Sequence, residues 1–350
     1  MLSPKQTAIP TFVRVKPGAL DRMGIYAERC GFTRAVLFFS HGLDDQLLQR
    51  LTASLDSRNI QILRATPVDS ISFEDTTESF HRSPANADAI IGFGGGKALD
   101  VAKYIAFLSG IPYISIPTSL SNDGFCSPQS SLTVADRRRP LPSAMPFGVI
   151  LDTGVCLNAP EILWYSGVGD LASKFTAVAD WKLAFHAMGT AVDDFAALLS
   201  DASVYQFLAR PERDIEGMKL LGTALLLNGI SMSICGSSRP ASGSEHLISH
   251  ALDRISKRPR LHGLQVGVAT YLVSLLQDQN SERIADLFST TGFWRVIARD
   301  PFHRAEWLDA SRLAPSIKSD FYTILSSRDC LPEIADALNS NPHLRQCFLD

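Results

Sequence analysis

The sequence predicts an α/β domain built on a parallel sheet, followed by an all-α domain. Three observations carry that expectation. Up to about residue 157, short β-rich apolar runs alternate with helical stretches, the pattern of a parallel sheet covered by helices on both faces. From Asn158 onward the chain reads as helix after helix, with no convincing alternating strand. The composition, 45% hydrophobic and 20% charged over 350 residues, is that of a globular chain long enough for two domains and a large core. The expected domains are residues 1–157 and 158–350.

Taken in order, AVLFF (35–39) reads as a buried strand, with a helix around 18–30 before it and another around 43–57 after it. IQILRATP (60–67) is a second strand. ADAIIGF (87–93) is a third, and it runs directly into Gly94-Gly95-Gly96-Lys97. ALDVAKYIAFL (98–108) has helical spacing, and PYISIP (112–117) is a fourth strand ending at Thr118. SSLTV (130–134) and GVILD (148–152) flank the link ADRRRPLPSAMPF and read as a hairpin-like excursion, with Arg137–Arg139 at its solvated tip. Asn158 and Pro160 give a helix start signal, an N-cap followed by a proline in the first turn.

The bulk properties exclude several classes. A net charge of −3 gives no reason to expect nucleic acid or an anionic membrane as partner. Six cysteines (Cys30, Cys126, Cys156, Cys235, Cys330 and Cys347) are scattered without close pairs, which argues against a disulfide framework or zinc ribbon and fits a reducing cytoplasm. The N-terminal MLSPKQTAIP lacks the apolar core of a signal peptide. Two uncharged runs, 104–122 and 220–238, are interrupted by prolines, glycines or polar residues and read as buried core rather than membrane spans. A soluble, cytoplasmic protein is expected.

Ser242–Leu264 concentrates the chemistry. It holds three of the eight histidines, His246, His250 and His262. On a helix His246 and His250 share a face, about 6 Å apart along the axis. Pro259 should end that helix, and His262 should open the next, where Gly263 and Gly267 allow close approach of a backbone or ligand. Two helix ends meeting at a turn, each bringing an imidazole, can hold a metal ion; the same residues also suit a wet helical hairpin. The Gly94–Lys97 turn between a buried strand and a helix has the physics of a pyrophosphate site, although its spacing is neither GxGxxG nor the P-loop. PTSLSNDGFCSP (117–128) follows the fourth strand, where open α/β sheets bind ligands, and offers Thr118, Ser119, Ser121, Ser127 and Asp123. In YSGVGDLASKFTAVADWKLAF (165–185), Asp170 is expected to begin an amphipathic helix.

The succession GGGKALDVAK, PTSLSNDGFCSP, GVGDLASKFTAVADWKLA, SGSEHLISHALD and LHGLQVGVA resembles the sn-glycerol-1-phosphate dehydrogenases, within the superfamily of metal-dependent alcohol dehydrogenases, glycerol dehydrogenases and dehydroquinate synthases. The resemblance covers about residues 85–270, with an echo in FYTIL (321–325). It implies a Rossmann-like nucleotide-binding domain before a helical metal- and substrate-binding domain, the dehydroquinate synthase-like architecture. Carried over by position, Asp170, His246 and His262 match the metal ligands, which hold zinc or, in some bacterial members, nickel. Asp123 and His250 match substrate-contacting catalytic positions. Gly94, Gly95, Gly96, Lys97 and Asp100 fall in the pyrophosphate segment, and Thr118, Ser121 and Ser127 match positions lining the nicotinamide cofactor. Iron-dependent relatives carry a histidine one turn after the ligand aspartate; here that position is Lys174, which argues against a four-protein-ligand iron site.

The implied reaction is reduction of dihydroxyacetone phosphate to sn-glycerol 1-phosphate with NAD(H) or NADP(H) and one divalent ion, in a homodimer or higher homo-oligomer. Oxidation of glycerol or another polyol is the nearest rival. It is separated by a cationic group for phosphate, for which Lys174, Arg239, Arg254 and Arg258 are available. A dehydroquinate synthase-like cyclase typically has glutamate where Asp170 stands, and a non-enzymatic scaffold leaves the filled site positions unexplained. AVLFF is followed by Ser40-His41-Gly42, with no acidic residue to claim both ribose hydroxyls, so room remains for a 2′-phosphate.

Overall fold

The computed structural model describes residues 7–349. The N-terminal segment read for a signal peptide lies largely outside them. The chain forms two compact units. One runs to Leu120 and resumes over Gly124–Ala159; the other comprises Ser121–Asp123 and everything from Pro160.

In the first unit the elements are β1 (Phe12–Val15), α1 (Met23–Arg29), β2 (Arg34–Ser40), α2 (Asp45–Asp56), β3 (Gln61–Val68), α3 (Phe73–His81), β4 (Ala89–Gly94), α4 (Gly96–Ser109), β5 (Tyr113–Pro117), β6 (Gln129–Val134), β7 (Arg137–Pro142), β8 (Gly148–Leu151) and α5 (Thr153–Asn158). Six strands make one parallel sheet in the order β1-β8-β5-β4-β2-β3. Every residue of the inner strands β4 and β5 is buried, as expected where helices cover both faces. Alternation sends Leu37, Ile91, Phe93, Ile114 and Ile116 into one core and Val36, Phe38, Ile90 and Tyr113 into the other. Gly94 pairs with Pro117 in register, and the Thr118 amide donates to Gly94 O at 3.0 Å. The glycine turn and the Thr118 loop therefore leave the carboxyl edge of the sheet side by side.

Several elements differ from expectation. β1, a four-residue half-buried edge strand, escaped the hydrophobic pattern because FVRV is short and carries an arginine. The excursion is a hairpin, but β6 pairs antiparallel with β7, the basic link itself, while β8 joins the main sheet between β1 and β5. Arg137–Arg139 are not its tip. They lie exposed along β7, and Ala135 and Asp136 make the turn with φ of 48° and 59°. A two-stranded ribbon tolerates prolines that a central strand does not. Asn158 ends α5 rather than starting a helix, and Asp152 caps α5 by accepting from the Gly154 and Val155 amides. Pro160 occupies the cap position of the next helix without a side-chain bond.

The second unit is built from α6 (Glu161–Ala172), α7 (Lys174–Met188), α8 (Asp194–Leu208), α9 (Ile215–Cys235), α10 (Ser244–Ile255), α11 (His262–Leu276), α12 (Ser281–Thr291), α13 (Phe293–Arg299), α14 (Arg304–Leu313), α15 (Ile324–Ser327), α16 (Leu331–Ser340) and α17 (Pro342–Arg345). A pair of two-residue parallel strands, β9 (Phe302–His303) and β10 (Phe348–Leu349), is the exception to its helical character. Among the described residues only α9 is long and apolar enough to cross a bilayer. Its Asn228 is buried, however, and accepts a bond from Ser203 of α8 at 2.9 Å, as suits a core helix.

α6 and α11 pack with their backbones almost touching. A Cβ on Gly169 would lie 2.0 Å from Gly263 O, and one on Gly263 only 1.8 Å from Ser166 O. The expected close approach is to another backbone at Gly263, and to the Phe293 ring and the Gly169 backbone at Gly267. Asp170 sits near the C-terminal end of α6 instead of at a helix start, because SGVGDLA continues the preceding helix and the break falls at Ser173.

Candidate metal centre and cofactor loop

The glycine contact between α6 and α11 brings Asp170 beside His262, and α10 adds His246. Asp170 Oδ1 lies 3.5 Å from His246 Nε2 and 3.9 Å from His262 Nε2. One donor atom from each of the three falls within 4.8 Å of the others. Donors held about 2.0–2.1 Å from a tetrahedral ion lie roughly 3.3 Å apart, so a divalent ion fits with little adjustment. The far nitrogens are already oriented. His246 Nδ1 is 2.9 Å from Glu245 Oε1, and His262 Nδ1 is 3.1 Å from Ser249 Oγ. Both rings therefore turn Nε2 toward Asp170, the arrangement that supports imidazole ligands from behind.

The supports are themselves fixed. Glu245 is fully buried and accepts from the Gly243 amide and the Thr176 hydroxyl. Gln265 donates to Ser249 Oγ at 3.1 Å and to Asp253 at 2.9 Å. Asp123 lies close by, its amide donating to Asp170 Oδ2 at 3.0 Å. Lys174 is entirely buried and donates to Asp123 Oδ2 at 3.2 Å, Ala241 O at 3.0 Å and Ser173 Oγ at 3.1 Å. Burial disfavours the Asp170 carboxylate, but Lys174 and the His246 and His262 rings outweigh it and hold its pKa below the ordinary value. Asp123 goes the other way, raised by burial and by the Asp170 charge against the pull of Lys174. His250 stands half-buried, its ring 6.4 Å from that of His246 and 5.7 Å from that of His262. It borders the cluster on the side of Asp253, with which it and His262 form a second group of facing donor atoms.

Behind Glu245, Asp180 accepts from the Ser244 amide, the Ile324 amide and Gln277 Nε2. Burial first, then the Glu245 charge, pushes its pKa up to about 6. A carboxyl with a raised folded-state pKa stabilises the fold below its unfolded pKa, near 4, and loses that contribution as pH rises through about 6. The loss is on the order of 3 kcal/mol. Asp180→Asn does not titrate, so its melting temperature relative to the wild type should climb between pH 4 and 7; a pH-independent difference would contradict the assignment.

The first unit's loop has its own geometry. Gly94 adopts φ +128°, and a Cβ there would lie 2.2 Å from Ser40 Oγ. Gly95 donates its amide to Ser40 Oγ at 2.9 Å, while a Cβ on Gly96 would meet nothing within 4 Å. Gly95 caps α4 without a side-chain bond, so the first turn of that helix presents amides at an open surface. Lys97 is exposed and reaches Asp69 O at 3.3 Å. Thr118 is half-buried beside Gly94. Ser121 groups with the second unit, its carbonyl accepting from Ser166 Oγ at 2.8 Å. Asp100 and Ser127 surround the fully buried Lys103, whose ammonium donates to Gly124 O and Gln129 O at 2.6 Å each and lies 3.4 Å from both side chains. Both are engaged in shaping the loop.

Residues 14–160 match the model of the iron-containing alcohol dehydrogenase family. The glycerol-1-phosphate dehydrogenase (NAD(P)+) of Aeropyrum pernix is 35% identical over 344 residues, covering 94% of this chain and 96% of the relative. That of Methanothermobacter thermautotrophicus is 32% identical over 346 residues, covering 96% and 98%. The chain belongs to the glycerol-1-phosphate dehydrogenase family.

Solved structures agree in fold. Glycerol dehydrogenase from Schizosaccharomyces pombe superposes with a TM-score of 0.78 at 20% identity, over 98% of this chain and 91% of that one. A probable glycerol dehydrogenase from Sinorhizobium meliloti gives 0.75 at 17% identity, over 96% and 99%. The expected sheet-then-helices architecture of the glycerol-1-phosphate dehydrogenase family is thus the observed one. Sequence reasoning missed Glu245, Ser249, Gln265 and Lys103. The adjacency of Glu245 to His246 was the available signal, since a carboxylate beside a metal-type histidine is a frequent support. The others face their partners only through tertiary packing.

Proposed function

We propose that this chain reduces dihydroxyacetone phosphate to sn-glycerol 1-phosphate with NAD(P)H, using a divalent ion, zinc or nickel, held by Asp170, His246 and His262. The observation that carries the reading is the convergence of these three donors in a chain matched nearly end to end by glycerol-1-phosphate dehydrogenases. A bound divalent ion supplies Lewis-acid polarisation of the substrate carbonyl, and a bound nicotinamide supplies the hydride. The chain's residues provide the rest. Glu245 and Ser249 keep both imidazoles aimed. Lys174 balances the buried charge of Asp170 and Asp123. Asp123 and His250 border the donors and are assigned to the substrate hydroxyls and to the proton that the new alcohol requires. Gly94–Lys97 and Thr118, at the carboxyl edge of the sheet, are assigned to the cofactor pyrophosphate and its surroundings, with Ser121 beside them in sequence.

The deciding experiment supplies dihydroxyacetone phosphate and dihydroxyacetone separately, each with NADH and NADPH, to zinc- or nickel-loaded protein. Stoichiometric cofactor oxidation with the phosphorylated ketone, yielding the sn-1-phosphate enantiomer, is expected. Equal turnover of dihydroxyacetone would make the chain a polyol dehydrogenase, and no oxidation of either cofactor would favour the cyclase reading or a different substrate. The loop assignment has its own check. Gly95 has ordinary φ, and a Cβ there would meet only Ser40 Oγ, at 3.8 Å, so Gly95→Val should fold normally. It should raise the KM for the nicotinamide cofactor about tenfold or more by keeping the pyrophosphate from the backbone. An unchanged KM would reduce the glycines to a turn. The same reading assigns the enzyme to the cytoplasm as a homo-oligomer, in keeping with six cysteines of which none forms a disulfide among the described residues.

A further inference from the structure

Four cations stood near the motifs, and the structure separates them. Lys174 is committed to Asp123 and Ala241. Arg254 and Arg258 are exposed, and Arg258 pairs with Asp300. Arg239 differs from all three. It is 5% exposed, its guanidinium lies 3.7 Å from the centroid of the Phe321 ring, and Nη1 donates to Tyr322 O at 2.6 Å. A second cation that sequence reasoning had passed over shares that ring: Lys318 Nζ is 4.7 Å from the same centroid and 3.4 Å from Ser238 Oγ. Among the described residues no carboxylate lies within ion-pairing distance of either one. Asp180 and Asp320 act on Arg239, and Asp320 and Glu245 on Lys318, only from farther away.

Two desolvated cations that repel each other are costly unless an anion joins them. Burial and the Arg239 charge both make the Lys318 ammonium easier to deprotonate than usual. An arginine fork with a lysine and a hydroxyl beside it is the donor set that recognises a phosphate dianion. The position is also right. Arg239 is two residues from Ala241, so their Cα atoms lie within about 7 Å. Ala241 O in turn receives Lys174, the partner of Asp123.

We propose that Arg239 and Lys318, with the Ser238 hydroxyl, form an anion subsite that binds the phosphomonoester of the substrate. This rests on the reading of a phosphorylated substrate given above. Phe321 and Tyr322 hold the subsite in shape, which assigns a role to the start of the FYTIL segment.

Lys318→Met is the variant of choice, because Ser238 is the one hydrogen-bond partner Lys318 has among the described residues. The metal-loaded full chain would be assayed on dihydroxyacetone phosphate and on dihydroxyacetone, and inorganic phosphate titrated as a competitive inhibitor. The ratio of the two kcat/KM values should fall on the order of 100-fold, and phosphate inhibition should weaken by about tenfold or more. Lys318→Arg should recover most of both. Lys318→Gln serves if the methionine variant does not fold. A wild-type enzyme with no preference for the phosphorylated ketone would overturn the functional reading. A wild-type preference that survives Lys318→Met and Lys318→Gln, or equal losses on both ketones, would overturn the subsite alone.

Discussion

His262→Ala should abolish turnover, with metal affinity lowered on the order of 1,000-fold and activity gone at micromolar zinc or nickel. The expectation follows from the small donor set. Among the described residues Asp170, His246 and His262 are the donors that converge around Asp170, and two donors do not hold a catalytic ion against water. Glu245→Gln should lie between the wild type and His262→Ala, weakening the metal by about 10–100-fold, because it removes the charge behind His246 and leaves all three donors. Chelation of the wild type should likewise stop the reaction, and one equivalent of ion per chain should restore it. Metal content by elemental analysis, measured beside activity, checks the series. Full activity in His262→Ala, or in thoroughly stripped protein, would sink the ligand assignment.

Gly263→Ala should cost both stability and metal binding. Its Cβ would lie 1.8 Å from Ser166 O and 2.6 Å from Ser166 C, which are backbone atoms in the middle of α6 and cannot rotate away. The helices must separate, at a cost of about 3 kcal/mol or more. The same separation draws His262, the first residue of α11, away from Asp170 on α6. Stability and metal binding should therefore fall together. Calorimetry with and without chelator distinguishes the two effects: the wild type should lose melting temperature when stripped, and Gly263→Ala should start low and respond little. A melting temperature within a degree or two of the wild type would show that the interface yields more easily than its geometry indicates.

Much of this was legible beforehand, for identifiable reasons. The buried strands announced themselves because Ala89–Gly94 and Tyr113–Pro117 lie between two covered faces and so carry unbroken apolar runs. His262 was placed correctly at the start of its helix, since Pro259 interrupts the pattern just before it. The failures have a common origin in segments whose local preference is overridden by distant contacts. Asp170 reads as a helix start because an aspartate followed by an apolar face usually is one; here α6 runs through SGVG because those small residues admit α11. RRRPLP reads as a loop tip, yet β6 recruits it as a strand. Nothing in the helical spacing of 98–108 marks Lys103, and only the tertiary fold reveals three carbonyl and hydroxyl oxygens around its ammonium.

The three residues Ser121–Asp123 have a consequence for how this chain can be cut. They group with the helical unit although the sequence on both sides belongs to the sheet unit, so the polypeptide passes between the units three times, not once. A fragment beginning at Pro160 would contain every metal donor. It would nevertheless lack the amide that Asp123 gives to Asp170 Oδ2 and the carboxylate that Asp123 gives to Lys174, leaving the buried ammonium without its one ion-paired carboxylate at 3.2 Å among the described residues. The helical half is therefore not an excisable module, and recombination between relatives that exchanges only the C-terminal half must inherit a compatible three-residue loop from the other parent.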